Sequence, residues 1–533
     1  MILDAKKGPP QELPRYHLCI VGAGPAGITL ALELQATGRR ICLLEAGGSS
    51  YEGPTQRLYE GHAAGQPYPL LRDTRVGALG GSTTVWAGWC RPLEALDFER
   101  REWCGALGWP FGLEQLRSYY ARAHAVCGLA DFDYDPERWS GVLGSKRLLA
   151  QDTTFGNEIF QINMQNFGER YRARLRQAEN IDLMLHAPVT RLHLEGTVCT
   201  GVQVRTLGGH EFVVNADHVV LAAGGVENAR LLLLSAAEPS QAPGNRFGLV
   251  GRYFADHAFV DPGWLVLRAP DSLEFYRLRP AGSTRNASSV RGVLSLRREV
   301  VERERFFNVA LSFHPRYESH QAFASEEVKA FLVLWNKLKR RAVPGAIWPY
   351  ARLAARAPHR LAVAMARKVA VGHGPERRWR MRLACETAFR FDNRVMLSDE
   401  LDPLGRRKVR IEWRLGEAEI QNMRRVMQRF DQAVRQAGLG HFEGAFPDEP
   451  SAWSQAVEAG KHHMGTTRMQ VAPEQGVVDE NSRVHGTVNL FVTGSSVFPS
   501  GGYANPTLTI VALAVRLGDH LSRLPAYVPH LSR

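Results

Sequence analysis

The stretch that decides the fold is HLCIVGAGPAGITLALELQATGRRICLLEAGG, residues 17–48. The apolar run at 17–21 is typical of a strand buried on both faces, and the run at 41–44 predicts a second such strand. Between them, the glycine-rich turn at 22–27 opens a helical stretch. Strand, turn, helix and strand therefore follow one another within about 30 residues, the length of a βαβ unit.

Each part of this unit is suited to binding a dinucleotide. Gly22 permits the tight turn, Gly24 lets the backbone approach a pyrophosphate, and Gly27 lets the helix pack against the strand. Glu45 ends the second strand, where a carboxylate accepts hydrogen bonds from ribose hydroxyls. The residues expected at the dinucleotide are Gly22, Gly24, Pro25, Ala26, Gly27, Glu45 and Ala46. This loop alone does not separate NAD from FAD.

Length and composition set the protein class. A chain of 533 residues suggests two or more domains at roughly 150 residues each. With 44% apolar and 23% charged residues it can bury a large core, which excludes disorder as its main description. Its seven cysteines are odd in number and lack Cys-x-x-Cys spacing, so neither a disulfide framework nor a metal site is expected.

The same features predict a cytoplasmic protein. The cysteine usage fits a reducing compartment, and residues 1–16 lack the apolar segment of a secretory signal. No apolar run approaches the ~18 residues that a membrane-spanning helix needs. Along the chain, strands are predicted between 181 and 225, between 252 and 320, and at 394–398 and 408–415. Helices are predicted over 226–235, 325–382 and 417–437.

A second group of motifs lies near the C-terminus. KHHMGTTRM occupies 461–469, and GGYANPTLT occupies 501–509. Asn505 followed by Pro506 predicts a helix start, since asparagine is a favoured N-cap and proline is favoured at the first helical position. The positive end of that helix would stabilise an anionic group such as a reduced flavin. A plain cap is the alternative interpretation of Asn505.

Four ordered blocks resemble the glucose–methanol–choline (GMC) flavoprotein oxidoreductases. They are GAGPAG with EAGG, GALGGSTTVWAG at 77–88, VVLAAGGVENARLLLLS at 219–235, and the C-terminal block from HHMGTTRM to ANPTLT. The ANPTLT ending resembles the pyranose oxidases and the bacterial sugar or glycoside dehydrogenases. The resemblance implies an α/β fold with a Rossmann-like FAD-binding domain and a substrate domain built on an antiparallel sheet plus helices.

The implied domain division is discontinuous. The expected FAD-binding domain comprises residues 13–50, 75–105, 180–255 and 460–533. The expected substrate domain comprises 106–179 and 256–459, with a basic helical insertion at 325–382.

The resemblance also assigns catalytic roles. The family's histidine precedes the threonine of a Gly-Thr pair by four residues, which selects His462, and its histidine or asparagine partner falls on Asn505. His462 is thus expected to be the general base and Asn505 to hydrogen-bond the substrate oxygen, while a hydride passes to flavin N5. The adjacent His463 is the alternative base, and a hydrogen-bonded neighbour is the expected role for it.

Further cofactor contacts are implied by the family. They are Gly80, Gly81, Thr83, Trp86, Ala87, Gly88, Val189, Ala223, Gly224, Gly494, Ser495, Asn505, Pro506 and Thr507. Trp86 could instead be a core aromatic, and Val189 is expected to contact adenine through its backbone. Some relatives attach FAD covalently through a histidine at the position of Val85, and valine cannot form that bond. Non-covalent FAD is therefore expected.

The net charge of +12 is concentrated in one segment. Residues 337–382 contain thirteen lysines and arginines against one acid, Glu376, so their excess equals that of the whole chain. Interleaved aromatic residues make the segment resemble a basic amphipathic helix. A helical lid or oligomer surface, a membrane surface and an acidic partner all remain open. Nucleic acid is not expected, because no nucleic-acid module accompanies the charge.

The expected function is the FAD-dependent oxidation of an alcohol, a sugar or glycoside secondary hydroxyl, to a carbonyl. The electron acceptor is O2 or a quinone or another acceptor. One alternative is a dehydrogenase at the membrane surface that oxidises a lipophilic or natural-product alcohol and reduces a quinone. A more distant alternative is a non-redox member of the hydroxynitrile-lyase type.

Overall fold

The computed structural model describes residues 1–8, 12–282, 288–315, 375–444 and 456–525, together with positions 355 and 358. The α-helices of these residues are α1 (Pro25–Glu33), α2 (Gly53–Gln56), α3 (Ala95–Phe98), α4 (Leu113–Cys127), α5 (Pro136–Val142), α6 (Phe167–Gln177), α7 (Gly224–Leu234), α8 (Arg298–Glu304), α9 (Glu417–Gln436) and α10 (Thr507–Arg523).

The strands of the described residues are β1 (Ile2–Asp4), β2 (Tyr16–Val21), β3 (Ile41–Leu44), β4 (Gly61–Gly65), β5 (Trp89–Cys90), β6 (Phe155–Ile162), β7 (Ile181–Leu185), β8 (Val189–Glu195), β9 (Val198–Arg205), β10 (Glu211–Leu221), β11 (Ala258–Asp271), β12 (Arg279–Pro280), β13 (Ser289–Leu296), β14 (Val309–Pro315), β15 (Glu376–Cys385), β16 (Arg394–Leu401), β17 (Arg407–Trp413), β18 (Gly440–Glu443), β19 (Val457–Ala459) and β20 (Leu490–Val492).

The first sheet contains the glycine-rich βαβ unit. Its strands β1, β7, β3, β2, β10 and β20 run parallel, and β9 and β8 extend the sheet in antiparallel fashion. Strand β3 is buried throughout, as its continuous apolar sequence predicts. The Rossmann-like α/β fold is thereby confirmed.

Several loops meet at the carboxyl edge of this sheet, where open α/β sheets bind their ligands. Gly22 follows β2 with φ of +106°, and a Cβ on it would lie 2.7 Å from the carbonyl oxygen of Ala222, which follows β10. A Cβ on Gly27 would overlap the carbonyl of Gly22. The close approach of three chain segments therefore requires glycine at both positions.

The second sheet is antiparallel and has nine strands among the described residues. Its order is β18-β11-β15-β14-β13-β6-β5, with β12 beside β13 and β19 beside β11. Helix α9 packs against it through one apolar face, and the rings of Phe430 and Phe155 lie 5.9 Å apart. A small third sheet joins β16, β17 and β4. The antiparallel sheet with helices agrees with the expected substrate-domain architecture.

The predicted helix over 325–382 is wrong at its C-terminal end. Residues 376–385 form β15, in which Trp379 and Met381 are buried and the intervening Arg380 and Arg382 are more exposed. The apolar residues alternate with period two, which is the pattern of a strand with one buried face. The rest of the predicted insertion, apart from positions 355, 358 and 375, lies outside the described residues.

Part of the basic charge is neutralised within this sheet. Arg378 lies 3.0 Å from Glu443, and Arg382 lies 2.7 Å from Glu458 and 3.2 Å from Asp261. Among the residues that the structure describes, no helix is long and apolar enough to cross a membrane.

Candidate active site

Two glycine-rich loops form one wall at the carboxyl edge of the parallel sheet. The backbone N–H of Gly80 donates to the carbonyl of Ala23 at 2.8 Å, and a Cβ on Gly81 would lie 3.0 Å from Cα of Gly24. Gly47 lies so close to Gly77 that a Cβ would overlap its carbonyl. The loops at 22–27 and 77–88 therefore contact each other through backbone atoms. We call this wall, residues 22–27 and 77–88, the glycine cradle.

Glu45 ties the cradle to strand β3. Its carboxylate is buried and accepts hydrogen bonds from the backbone N–H groups of Ala23 and Gly47, each at 3.0 Å. Burial raises the pKa of Glu45 to about 7, although these backbone donors oppose the shift. The remaining acceptor capacity of the carboxylate suits ribose hydroxyls.

Two more predicted glycines border open space. Gly224 has φ of +88° and Gly494 has φ of +110°, and a Cβ on either would meet no atom within 4 Å. These positions leave room for a ligand beside the ends of β10 and β20. The hydroxyl of Ser495 donates to the carbonyl of His463 at 2.6 Å, so this side chain has a structural partner.

The other predicted cofactor residues differ in their surroundings. Thr83 donates its hydroxyl to Gly80 at 2.6 Å and thus stabilises the turn of the second loop. The carbonyl of Val189 accepts a hydrogen bond from Arg406 at 2.9 Å. Trp86 donates its indole N–H to the carbonyl of Gln165 at 3.2 Å and contacts Phe167 edge-on. These contacts fix the position of the partly buried Trp86 side chain.

His462 and Asn505 come together across 43 residues of sequence. Nε2 of His462 lies 3.1 Å from Nδ2 of Asn505, and Nδ1 of His462 lies 2.8 Å from Nδ1 of His257. Burial, followed by His257 and His463, lowers the pKa of His462 well below its usual value. The ring is therefore neutral at physiological pH, and both of its nitrogens have side-chain partners.

His463 faces away from this pair. It is buried between Tyr68 and Phe254, with ring centroids 6.2 and 5.9 Å away, and its Nε2 has no hydrogen-bond partner among the described residues. Burial and the nearby Arg75 lower its pKa to about 3. The geometry thus brings His462, and not His463, to Asn505.

The predicted N-cap at Asn505 is wrong by one residue. Helix α10 begins at Thr507, and Pro506 occupies the cap position, with its carbonyl accepting from the N–H of Ile510 at 2.9 Å. Asn505 therefore stands one residue outside the helix. Its amide nitrogen lies beside His462, 3.1 Å from Nε2.

Two adjacent residues of the site, Asp256 and His257, were not predicted from the sequence. The buried carboxylate of Asp256 accepts from the backbone N–H groups of His462 at 2.8 Å and Lys461 at 3.0 Å, and from the hydroxyl of Tyr68. Lys461 has φ of +63°, a strained value for a residue with a side chain. Burial raises the pKa of Asp256 to about 6 against these donors. Asp256 thereby fixes the backbone at Lys461 and His462 through hydrogen bonds.

Comparisons with known proteins show the family of the chain. Residues 17–316, more than half of the chain, match the profile of the FAD dependent oxidoreductases, and residues 390–514 match that of GMC oxidoreductase. The 2-methyl-1,2-propanediol dehydrogenase of Mycolicibacterium austroafricanum is 26% identical over 580 residues, covering 95% of this chain and 94% of that protein. The C-glycoside 3-oxidase of Microbacterium trichothecenolyticum is 32% identical over 142 residues, 26% of either chain.

A solved structure shows the same fold. The pyridoxine 4-oxidase from Mesorbium loti has a TM-score of 0.53 at 17% identity and covers 95% of this chain and 99% of that one. The parallel sheet, the glycine cradle and the matched profiles define a flavin-dependent oxidoreductase. The chain belongs to the FAD dependent oxidoreductases and, by its C-terminal block, to the GMC oxidoreductases, enzymes that act on CH–OH donors.

The residues present fit FAD. The cradle leaves backbone rather than side chains at the carboxyl edge, Gly224 and Gly494 border open space, and Glu45 keeps acceptor capacity for a ribose. The N-terminal turn of α1 adds free N–H groups that attract phosphates. We expect the pyrophosphate to bind at this turn.

Proposed function

We propose that this enzyme oxidises a secondary hydroxyl of a sugar or glycoside to a ketone, with His462 as the general base. The observation that carries the proposal is the His462–Asn505 pair, whose neighbour His463 packs against Gly225 just beyond the carboxyl end of β10. We also propose the domain division into an FAD-binding part (13–50, 75–105, 180–255, 460–533) and a substrate part (106–179, 256–459).

His462 and Asn505 have different roles in the oxidation of the alcohol. Nε2 of His462 accepts the hydroxyl proton as the C–O bond becomes C=O, and the hydrogen on carbon leaves with its electron pair as a hydride. When bound, FAD supplies the two-electron acceptor for that hydride. Nδ2 of Asn505 donates a hydrogen bond to the substrate oxygen as negative charge develops on it. His462 is less enclosed than the fully buried His463 beside it.

The side chains on the Phe259 side of His462 suit a polar ring-shaped molecule. The ring of Phe259 lies 6.0 Å from that of His462, and the guanidinium of Arg382 lies 4.9 Å from the Phe259 ring. Arg382 is itself paired with Asp261 and Glu458. An apolar face beside fixed polar groups suits a sugar, which has C–H faces and hydroxyl edges. The likeness to a C-glycoside 3-oxidase supports the same class.

A second candidate substrate is a small aliphatic vicinal diol. The relative that matches along almost the whole chain bears the name 2-methyl-1,2-propanediol dehydrogenase. An anaerobic panel of sugars, glycosides and aliphatic diols, followed by flavin absorbance, separates the two classes. We expect glycosides to bleach the flavin with the highest kcat/KM. A higher kcat/KM for the diols would instead identify aliphatic diols as the substrate class. No bleaching by any alcohol would contradict both.

FAD is expected to be held without a covalent bond. Position 85 is a valine, the second loop (77–88) has no histidine, cysteine or tyrosine, and the following Cys90 is fully buried. After acid precipitation, we expect the yellow colour in the supernatant. A yellow pellet over a colourless supernatant would contradict this expectation.

The acid limb of the pH profile is expected below pH 6.5. The pKa of His462 is lowered, so Nε2 is free above that pKa and becomes protonated as the pH falls through it. Asp256, with a pKa of about 6, loses its charge in the acidic range as well. The measurement is kcat/KM from pH 4 to 9 (roughly the range that brackets these groups). An acid limb at or above pH 6.5 would argue against His462 in its buried, neutral form.

A further inference from the structure

One backbone carbonyl determines where the protons sit on two histidine rings. The oxygen of Gly502 can only accept a hydrogen bond, and it lies 2.9 Å from Nε2 of His257. His257 must therefore carry a proton on Nε2. As a neutral ring it then presents a lone pair at Nδ1.

The constraint passes from His257 to His462. Their Nδ1 atoms lie 2.8 Å apart, and only one of them can supply the hydrogen. Since Nδ1 of His257 holds a lone pair, Nδ1 of His462 must donate. Nε2 of His462 is then left unprotonated, facing the amide of Asn505 at 3.1 Å. The opposite tautomer would place the Nε2 hydrogen against the amide hydrogens of Asn505.

The surroundings of His257 keep it neutral. The ring is 1% exposed, and burial lowers its pKa to about 4. The titratable groups that it faces are His462, at hydrogen-bond distance, and Glu386, whose charge opposes the shift; Phe259 covers another side of the ring with centroids 6.5 Å apart. Its Nδ1 therefore remains an acceptor.

We propose that His257 is a positioning residue for the alcohol oxidation: anchored on the carbonyl of Gly502, it holds the proton of His462 on Nδ1 and leaves Nε2 free to take the hydroxyl proton. This inference rests on the proposed role of His462 as the base. When Nε2 accepts the proton, His462 becomes a cation, and its Nδ1–H continues to donate to His257. No proton leaves the pair in this step.

Two consecutive residues, Asp256 and His257, then fix the position of His462. Asp256 fixes the backbone N–H of His462 at 2.8 Å, and His257 fixes its ring. Both lie directly before β11, whose pairing with β19 places them beside residues 460–462, and the N–H of Gly460 donates to the carbonyl of His257 at 2.9 Å. The arrangement resembles the way a carboxylate orients the histidine of a hydrolytic triad, with a neutral imidazole in place of the carboxylate.

A pair of substitutions tests the acceptor on FAD-loaded enzyme. His257→Leu removes the acceptor, whereas His257→Asn keeps an oxygen near the place of Nδ1. Anaerobic flavin reduction should slow by about 10²-fold in the leucine variant, the scale of a disabled general base. The substrate Kd should be unchanged, and the asparagine variant should recover most of the rate. Wild-type rates in the leucine variant, or equal losses in both variants, would overturn the proposal.

Two further measurements make the outcome unambiguous. Nitrogen-15 NMR of wild-type enzyme, with the His462 signals assigned by their loss in His462→Ala, should show the proton on Nδ1. A proton on Nε2 would overturn the proposal even if neither His257 variant folds. Flavin reduction in His462→Ala separates the two claims: a wild-type rate there defeats the proposed function, whereas a wild-type rate only in His257→Leu defeats this inference alone.

Discussion

Replacing His462 by alanine should slow anaerobic reduction of the flavin by alcohol about 10²- to 10⁴-fold, the range that a positioned base contributes. The change removes the only ring nitrogen that lies 3.1 Å from the amide of Asn505 among the described residues. Bound FAD should be retained, because the glycine cradle and Glu45, which we expect to hold it, are separate from His462 and unchanged by the substitution. Stopped-flow absorbance of the flavin measures the rate, and the flavin-to-protein ratio checks binding.

His463 supplies the matched control for this prediction. It has the same side chain and follows His462 directly in the sequence. It is buried between Tyr68 and Phe254, however, and its Nε2 has no hydrogen-bond partner in the part of the chain that the structure describes. His463→Leu keeps a buried apolar side chain and should retain the wild-type order of magnitude in rate. A large loss in His463→Leu together with a normal rate in His462→Ala would reverse the assignment of the base.

Replacing Asn505 by leucine should lower the reduction rate about 10²- to 10³-fold, the effect of losing one donor to a developing oxyanion. Leucine fills a similar volume but donates no hydrogen bond to the substrate oxygen or to His462. Because the amide acts as charge develops, kcat should fall much more than KM rises. Steady-state kinetics with the best alcohol of the panel measures both parameters.

Asn505→His is the companion variant. The GMC family has either a histidine or an asparagine at this position. The N–H group of a histidine would again supply a hydrogen-bond donor. We expect it to regain a substantial part of the rate lost in Asn505→Leu. The helix should not be affected in either variant, because Pro506 and not Asn505 occupies the cap of α10. Equal rates in wild type and Asn505→Leu would remove Asn505 from the mechanism.

Much of the fold follows from local sequence patterns. The apolar runs flanking the glycine turn became β2 and β3, and the predicted helices over 226–235 and 417–437 correspond to α7 (Gly224–Leu234) and α9 (Glu417–Gln436). Such elements are predictable because a buried strand is uniformly apolar and an amphipathic helix repeats every 3.6 residues. The boundaries moved by only one or two residues.

What the sequence could not provide depends on long-range contacts. Asp256 and His257 contact His462, which lies about 205 positions further along the chain. Nothing in the local sequence around Asp256 and His257 indicates these contacts. The strand β15 was hidden by its arginines, which alternate with buried residues and neutralise acids on neighbouring strands. The residue preferences at helix starts predicted that Asn505 caps the helix. In the structure its amide nitrogen instead lies 3.1 Å from Nε2 of His462.

We propose that this GMC oxidoreductase removes a hydride and a proton from a secondary hydroxyl of a sugar or glycoside. The most direct test is an anaerobic titration of the FAD-loaded enzyme with the best glycoside of the panel, with the product identified by NMR. We predict one keto-glycoside formed for each flavin bleached. Product formed without bleaching, or bleaching that occurs only with non-sugar alcohols, would contradict the claim.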